Sequence, residues 1–279
     1  ELHLDVVEVA QLGERRHVVE ALETEIVEEL ARGAEQLGAA RESDTLLRRH
    51  AQVLCQLMAT ADANCWTLSP ADRGRTVREI GNLRAALDWA TSTEGNRDFA
   101  CELLSKCWLV WMHNGLVGEG EQRMLQFWPL SDLPRHSEAQ FCLALARLNV
   151  GVGREVHWLA ARRAEALYRE LGDEERLGDA LLLAATIGQV TGHVQEAEVL
   201  LREAESLMSD ASLLRKQAAL AATQGGYHLH FGRAEQAVAA FERQRELYHR
   251  VGAELGEYIA LGNVGSAQLD AGDLNAAVD

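Results

Sequence analysis

The chain has 279 residues, with 27 Lys and Arg against 43 Asp and Glu and a formal net charge of −16. That balance argues against direct contact with nucleic acid, because a phosphate backbone is gripped by clustered cations. No apolar run reaches the about 18–20 residues that cross a bilayer, and no N-terminal stretch reads as a signal peptide, so neither a membrane location nor export is expected. Gly, Ala and Leu dominate, prolines number 3, and no run of alternating β-branched residues announces a sheet, which leaves an all-α protein.

In chain order, residues 1–65 read as an N-terminal helical segment. Its basic cluster Arg48-Arg49-His50, like Arg73, Arg75 and Arg78 beyond it, is interleaved with acids or apolar residues and reads as a solvated helix face. Residues 66–136 form a Trp-rich helical subdomain. All six tryptophans (Trp66, Trp89, Trp108, Trp111, Trp128 and Trp158) fall between 66 and 158. Ser69 as N-cap, Pro70 at the first helical position and Asp72 in the first turn open a helix. Its apolar face continues through Ile80, Leu83, Ala86, Leu87 and Ala90. The spacing of Ala100, Leu103, Leu104, Cys107, Trp108 and Trp111 predicts one more helix, stopping near Gly115. Pro129 and Pro134 then interrupt the chain, and Ser137 caps the first repeat-like helix.

Residues 137–279 repeat with a period of 40: Gly192, Gly232 and Gly272; Ala197, Ala237 and Ala277; Leu167, Leu207 and Leu247. Tyr168 and Tyr248, Gly172 and Gly252, and Ala180 and Ala260 add columns separated by 80 residues, twice that period. A fixed period in this range is the mark of a stacked architecture, in which each unit buries its apolar face only against its neighbours. The turn glycine is placed at the left-handed position after a first helix, where a Cβ is costly. The alanine five residues later is placed where the two helices cross. In the upstream unit, around residues 139–172, the second helix keeps the pattern (Ala161, Ala164, Leu167, Tyr168, Leu171), but Val152 occupies the glycine column and Gly153 lies beside it.

These positions resemble the tetratricopeptide repeat. Ala185, Gly225 and Gly265 stand in its small-residue slot within the first helix, and Leu201 and Phe241 in its large apolar slot of the second. The unit is longer than the usual 34 residues and lacks the closing proline. The expected fold is therefore a right-handed α-α superhelix of about three and a half tetratricopeptide-like hairpins, preceded by the Trp-rich subdomain.

A second resemblance covers roughly residues 15–279. Glu79-Ile-Gly-Asn-Leu-Arg-Ala-Ala-Leu-Asp-Trp-Ala90 is similar to the "E..NLRAALDWA" helix of large bacterial regulators with a nucleotide-binding STAND core, including LuxR-type and AfsR-like activators. Trp108, Trp111, Gly115, Glu119-Gly120 and Leu125 resemble the "G...EG...L" stretch that comes next in that family. Arg16-His-Val-Val-Glu-Ala-Leu-Glu-Thr24 looks like its winged-helix junction, and Leu47-Arg-Arg-His-Ala51 like its "RRHA" helix. The resemblance implies a cytoplasmic sensor arm, with ATP and DNA bound by domains outside this segment. The start at Glu1 and the stop at Asp279, early in a second helix, read as a fragment of a longer protein.

Chemistry-bearing motifs are missing from the sequence: it contains no HExxH, phosphate-binding loop, nucleophile elbow or dinucleotide turn. The five cysteines (Cys55, Cys65, Cys101, Cys107 and Cys142) form no CxxC pair and read as buried reduced thiols, with Cys101 and Cys107 on different helix faces. The chain is read as non-catalytic, with no metal and no cofactor of its own. On the repeat register, the first helices line a concave surface with Asn149, Thr186, Gln189, Leu229, His230, Ser266, Leu269 and Asp270. Their mixture of small, apolar and polar side chains suits a protein or peptide partner or a small effector. His230 and Asp270 share one column of this register. Asn82, Arg84 and Asp88 are read as structural. The other functions compatible with such an array are a free-standing adaptor and the regulatory arm of a cyclase or kinase.

Overall fold

The computed structural model describes residues 40–63, 70–92, 97–130, 132–148, 150, 153–208 and 213–272. The N-terminal motif at 16–24, Ser69, Cys65, Trp66, Asn149, Val152 and Ala277 lie outside them. Among the described residues there are helices and no strands. In order these are α1 (Ala40–Ala63), α2 (Pro70–Arg78), α3 (Ile80–Ser92), α4 (Arg97–Lys106), α5 (Trp108–His113), α6 (Val117–Leu125), α7 (Arg135–Leu148), α8 (Glu155–Leu171), α9 (Glu174–Thr191), α10 (Val194–Leu207), α11 (Leu214–His230), α12 (Ala234–Arg250) and α13 (Glu254–Asp270).

The repeats are helical hairpins. Helices α7 and α8, α9 and α10, and α11 and α12 pair, and α13 packs on α12; between units α8 packs on α9, and α9 reaches α11. The periodic glycines close the first helices as expected. Gly192, Gly232 and Gly272 have φ of 89°, 67° and 82°, a region that glycine enters without steric cost. After α11 the Arg233 N–H donates to the His228 carbonyl (2.9 Å) and the Gly232 N–H to that of Leu229 (2.9 Å), so two carbonyls at the helix end are satisfied. Second helices end similarly: the Asp173 N–H reaches the Tyr168 carbonyl at 3.1 Å, and that of Ala253 the Tyr248 carbonyl at 3.0 Å. The upstream unit solves its turn one residue late, with Gly153 at φ 50°. Its first helix also starts ahead of the expected Ser137 cap, at Arg135, and the Pro134 carbonyl accepts the Glu138 N–H (2.9 Å).

Small residues let the helices of a hairpin approach. Ala197 and Ala237 are fully buried. A Cβ on Gly225 would lie 2.6 Å from Cδ1 of the Phe241 ring, so the small slot of α11 holds the large slot of α12. Gly188 of α9 similarly admits Trp158 of α8 (2.8 Å) and Ala197 of α10 (3.2 Å), so three helices meet at one missing side chain.

The Trp-rich part departs from its expected helices in two places. Instead of one helix from Pro70 to beyond Ala90, the chain breaks at Glu79, whose N–H turns back to the Thr76 carbonyl (3.2 Å). Instead of one helix through Ala100 and Trp111, it breaks at Cys107, whose N–H bonds the Leu104 carbonyl (3.2 Å). Each tight turn advances the chain without rotating its apolar face out of the core. Leu83, Ala86, Leu87 and Ala90 on one side, and Leu103, Leu104, Cys107 and Trp111 on the other, are all buried. The stop at Gly115 (φ 67°) is as predicted. A single buried cluster runs from Ala51 in α1 to Tyr227 in α11, crossing the 136/137 boundary without a gap. Two small clusters lie beyond it: Ala218, Leu247, Tyr248 and Ala253; and Ala237, Phe241, Val264 and Ala267.

Candidate functional site: the inner helix face

Thr186 and Gln189 lie one turn apart on α9, half-buried, and both are engaged by α11. The Thr186 hydroxyl shares a hydrogen bond with that of Thr223 (3.0 Å), and Gln189 Nε2 donates to the Thr223 carbonyl (3.1 Å). A Cβ on Gly226 would stand 2.9 Å from Gln189 Oε1, so the two inner helices touch there. This pair of residues holds successive units together, and their polar atoms are largely spent in doing so. Leu229 is partly buried against the Phe241 cluster. His230, Ser266 and Asp270 are not buried, and Leu269 is 52% exposed. His230 and Asp270 form no ion pair with each other; the His230 ring packs edge-on against Phe231 at 5.2 Å. The eight expected residues therefore divide into a locked upper part and an open lower part, with Asn149 outside the described residues.

On the outer side of α12 is a shallow cavity of about 640 Å³ lined by Ala239, Glu242, Arg243, Arg245, Glu246, His249 and Glu257. Two contacts cross its lining, Arg245 with Glu242 at 2.8 Å and the His249 ring with Glu257 at 3.0 Å.

The polar residues of the "NLRAALDWA" stretch have identified partners. Arg84 of α3 binds Glu119 of α6 through two parallel hydrogen bonds (Nε–Oε1 2.8 Å, Nη2–Oε2 2.5 Å). Arg123 of α6 returns to Asp88 of α3 at 2.7 Å and also reaches Glu119 at 3.4 Å. Two pairs four residues apart on each helix thus form a ladder between segments 35 residues apart. The fork of Arg84 holds the Glu119 carboxyl below the usual carboxylate range. Asn82 donates to Glu79 (2.7 Å). Beneath the ladder a Cβ on Gly120 would lie 2.5 Å from Trp111, which is fully buried.

The four described cysteines are buried thiols. Cys55, Cys101, Cys107 and Cys142 are free and buried, and burial pushes each thiol upward, that of Cys101 to about 12. Among the described residues no group of three or more His, Cys, Asp or Glu is arranged to hold a metal ion, and no helix is long and apolar enough to cross a membrane.

Four histidines make the chain sensitive to acid. Burial holds His50, His113, His157 and His228 below the ordinary 6.5, opposed by Glu79 at His50 and by Glu121 at His157. His157 is fully buried; its Nδ1 accepts the Arg154 backbone N–H (3.2 Å), and Nε2 stands 3.3 Å from Glu121 without hydrogen-bond alignment. Each imidazole stays neutral in the fold to a lower pH than in the unfolded chain. Stability is therefore complete above about 6.5 and is lost as pH falls through the folded-state values. Melting curves should show Tm falling below pH 6.5, before the carboxylates of Glu119 and Glu203, held low by Arg84 and Arg169, begin to protonate. A flat Tm from pH 7 to pH 5 would contradict this.

Neither a scan against protein-family models nor a search of curated proteins returns a match.

Proposed function

We propose that this chain is the non-catalytic sensor and scaffold region of a bacterial transcriptional regulator of the STAND type. The observation that carries this reading is the ladder between α3 and α6. Arg84 and Asp88 belong to the stretch resembling "NLRAALDWA", and Glu119 to the "EG" stretch after it. Their mutual pairing makes the two resemblances one structural unit, which is what a module carried from protein to protein would need. Stacked hairpins supply extended surface in place of a reaction centre. In this reading a protein, peptide or small effector docks on the open part of the inner face, around Leu229, His230, Ser266, Leu269 and Asp270. Binding alters the curvature of the array or its contact with an ATPase core. The segment acts in the cytoplasm, binds no cofactor itself and leaves DNA to another domain.

The intact reading frame tests this directly. A phosphate-binding loop upstream and a DNA-binding domain at either end are expected. A cyclase or kinase domain upstream, or repeats alone on both sides, would replace the regulator reading by that of an enzyme's regulatory arm or an adaptor.

A further inference from the structure

Four elements, α1, α4, α7 and α9, enclose a cavity of about 150 Å³ lined by Ala59, Asp62, Ser105, Lys106, Gln140, Leu143, Arg147 and Arg176. Three cations and one carboxylate line it, in a chain where acids outnumber bases 43 to 27. The one carboxylate is already engaged: Asp62 Oδ1 accepts the Trp108 indole N–H at 2.6 Å. Arg147 lies over the Trp108 ring (5.3 Å) and stands 3.6 Å from Asp62 and 3.8 Å from Asp179, with no hydrogen bond to either. Asp179 is shared with Lys216, at 3.3 Å. Lys106 is paired with Glu102 on the outer side and also reaches Cys55 Sγ at 3.5 Å. The Arg176 guanidinium makes no hydrogen bond or ion pair with any described residue.

Two guanidiniums therefore face a shared space with most of their donors unused. Arginine forks match carboxylate and phosphate oxygens, and partial burial strengthens such bonds relative to open water. The Tyr168 hydroxyl is buried without a partner, and burial pushes it up to about 12, opposed by Arg176 and Arg147 and reinforced by Asp173 and Asp179. Leu143 and Ala59 supply an apolar wall, and Gln140 adds a neutral amide. The volume is below that of sites for drug-sized ligands, so the occupant is small.

We infer that this cavity binds a small anion, a carboxylate or phosphate group held between Arg147 and Arg176 with Lys106 at its edge. The inference does not rest on the regulator reading. It places a ligand at the junction of the Trp-rich helices with the first two hairpins.

The test is titration calorimetry on the whole chain, with inorganic phosphate and succinate as probes at constant ionic strength and chloride as the reference. Saturable binding of at least one probe is expected. Phosphate alone would identify a phosphoryl ligand, succinate alone a carboxylate, and both a site that reads charge. Arg176→Gln should weaken binding about tenfold or more, as loss of charge-assisted hydrogen bonds does. Its circular-dichroism melt should match the parent, because the side chain has no described partner to lose. Lys106→Gln should weaken binding less, and Arg245→Gln, the same charge change on α12, should leave it unaltered. Heat signals no larger than with chloride, or equal binding by the parent and Arg176→Gln, would overturn the site.

Discussion

Trp111→Ala is expected to destabilise the chain by about 3–5 kcal/mol, the range for deleting a large buried aromatic side chain. Trp111 is fully buried, and Gly120 approaches it so closely that a Cβ there would stand 2.6 Å from its Cδ1. The helices around it cannot close the gap, because α5 is fixed at one end by the Cys107 turn and at the other by Gly115. One observation favours the lower end of the range: the indole N–H is buried without a partner, so truncation also removes an unsatisfied donor. Trp111→Phe, which removes that donor and keeps most of the ring volume, should cost much less. Urea midpoints at unchanged slope would measure both, and an alanine loss under about 1 kcal/mol would mean that the site collapses freely.

Substitution of two helix-interior glycines should split by sign. Gly225 and Gly262 both lie within helices and differ in their surroundings. A Cβ on Gly225 meets Cδ1 and Cζ of Phe241 at 2.6 Å, whereas one on Gly262 meets no described atom within 4 Å. Alanine gains about 0.8–1 kcal/mol over glycine in a helix interior. Overpacking typically costs about 1–3 kcal/mol, and Phe241 is too buried to swing aside. Gly262→Ala should therefore raise stability by close to the propensity gain. Gly225→Ala should lower it, and Gly225→Leu more so, to about 3 kcal/mol. If both alanine variants were stabilising, the contact of the small slot with the large one would not be the interaction that joins α11 to α12.

The glycine columns made the hairpins legible, because a left-handed turn can be read from one residue type at one spacing. The same reasoning failed at Glu79 and Cys107. There the apolar face passes through a tight turn unchanged, and periodicity reports faces without reporting axial breaks. It also marked Thr186 and Gln189 as open. The register tells which helices lie inside, but how closely they approach depends on Thr223 and Gly226, whose smallness matters only in three dimensions. The ladder of Arg84, Asp88, Glu119 and Arg123 left a faint trace, opposite charges spaced four apart on two helices, which pointed to no particular partner. The cavity of Arg147 and Arg176 left none, because its residues come from four helices and share no period.

The break in the buried cluster after Tyr227 gives the array a mechanical character. In a stack whose stability is a sum of units and nearest-neighbour interfaces, a shared core makes several units respond as one. From α1 to the inner side of α11 one apolar core is continuous. From there outward, α12 is joined to α11 through Ala218, Leu247, Tyr248 and Ala253 and through Phe241 over Gly225, and to α13 through Phe241, Val264 and Ala267. An effector docking on α13 would therefore reach the shared core only through these smaller clusters.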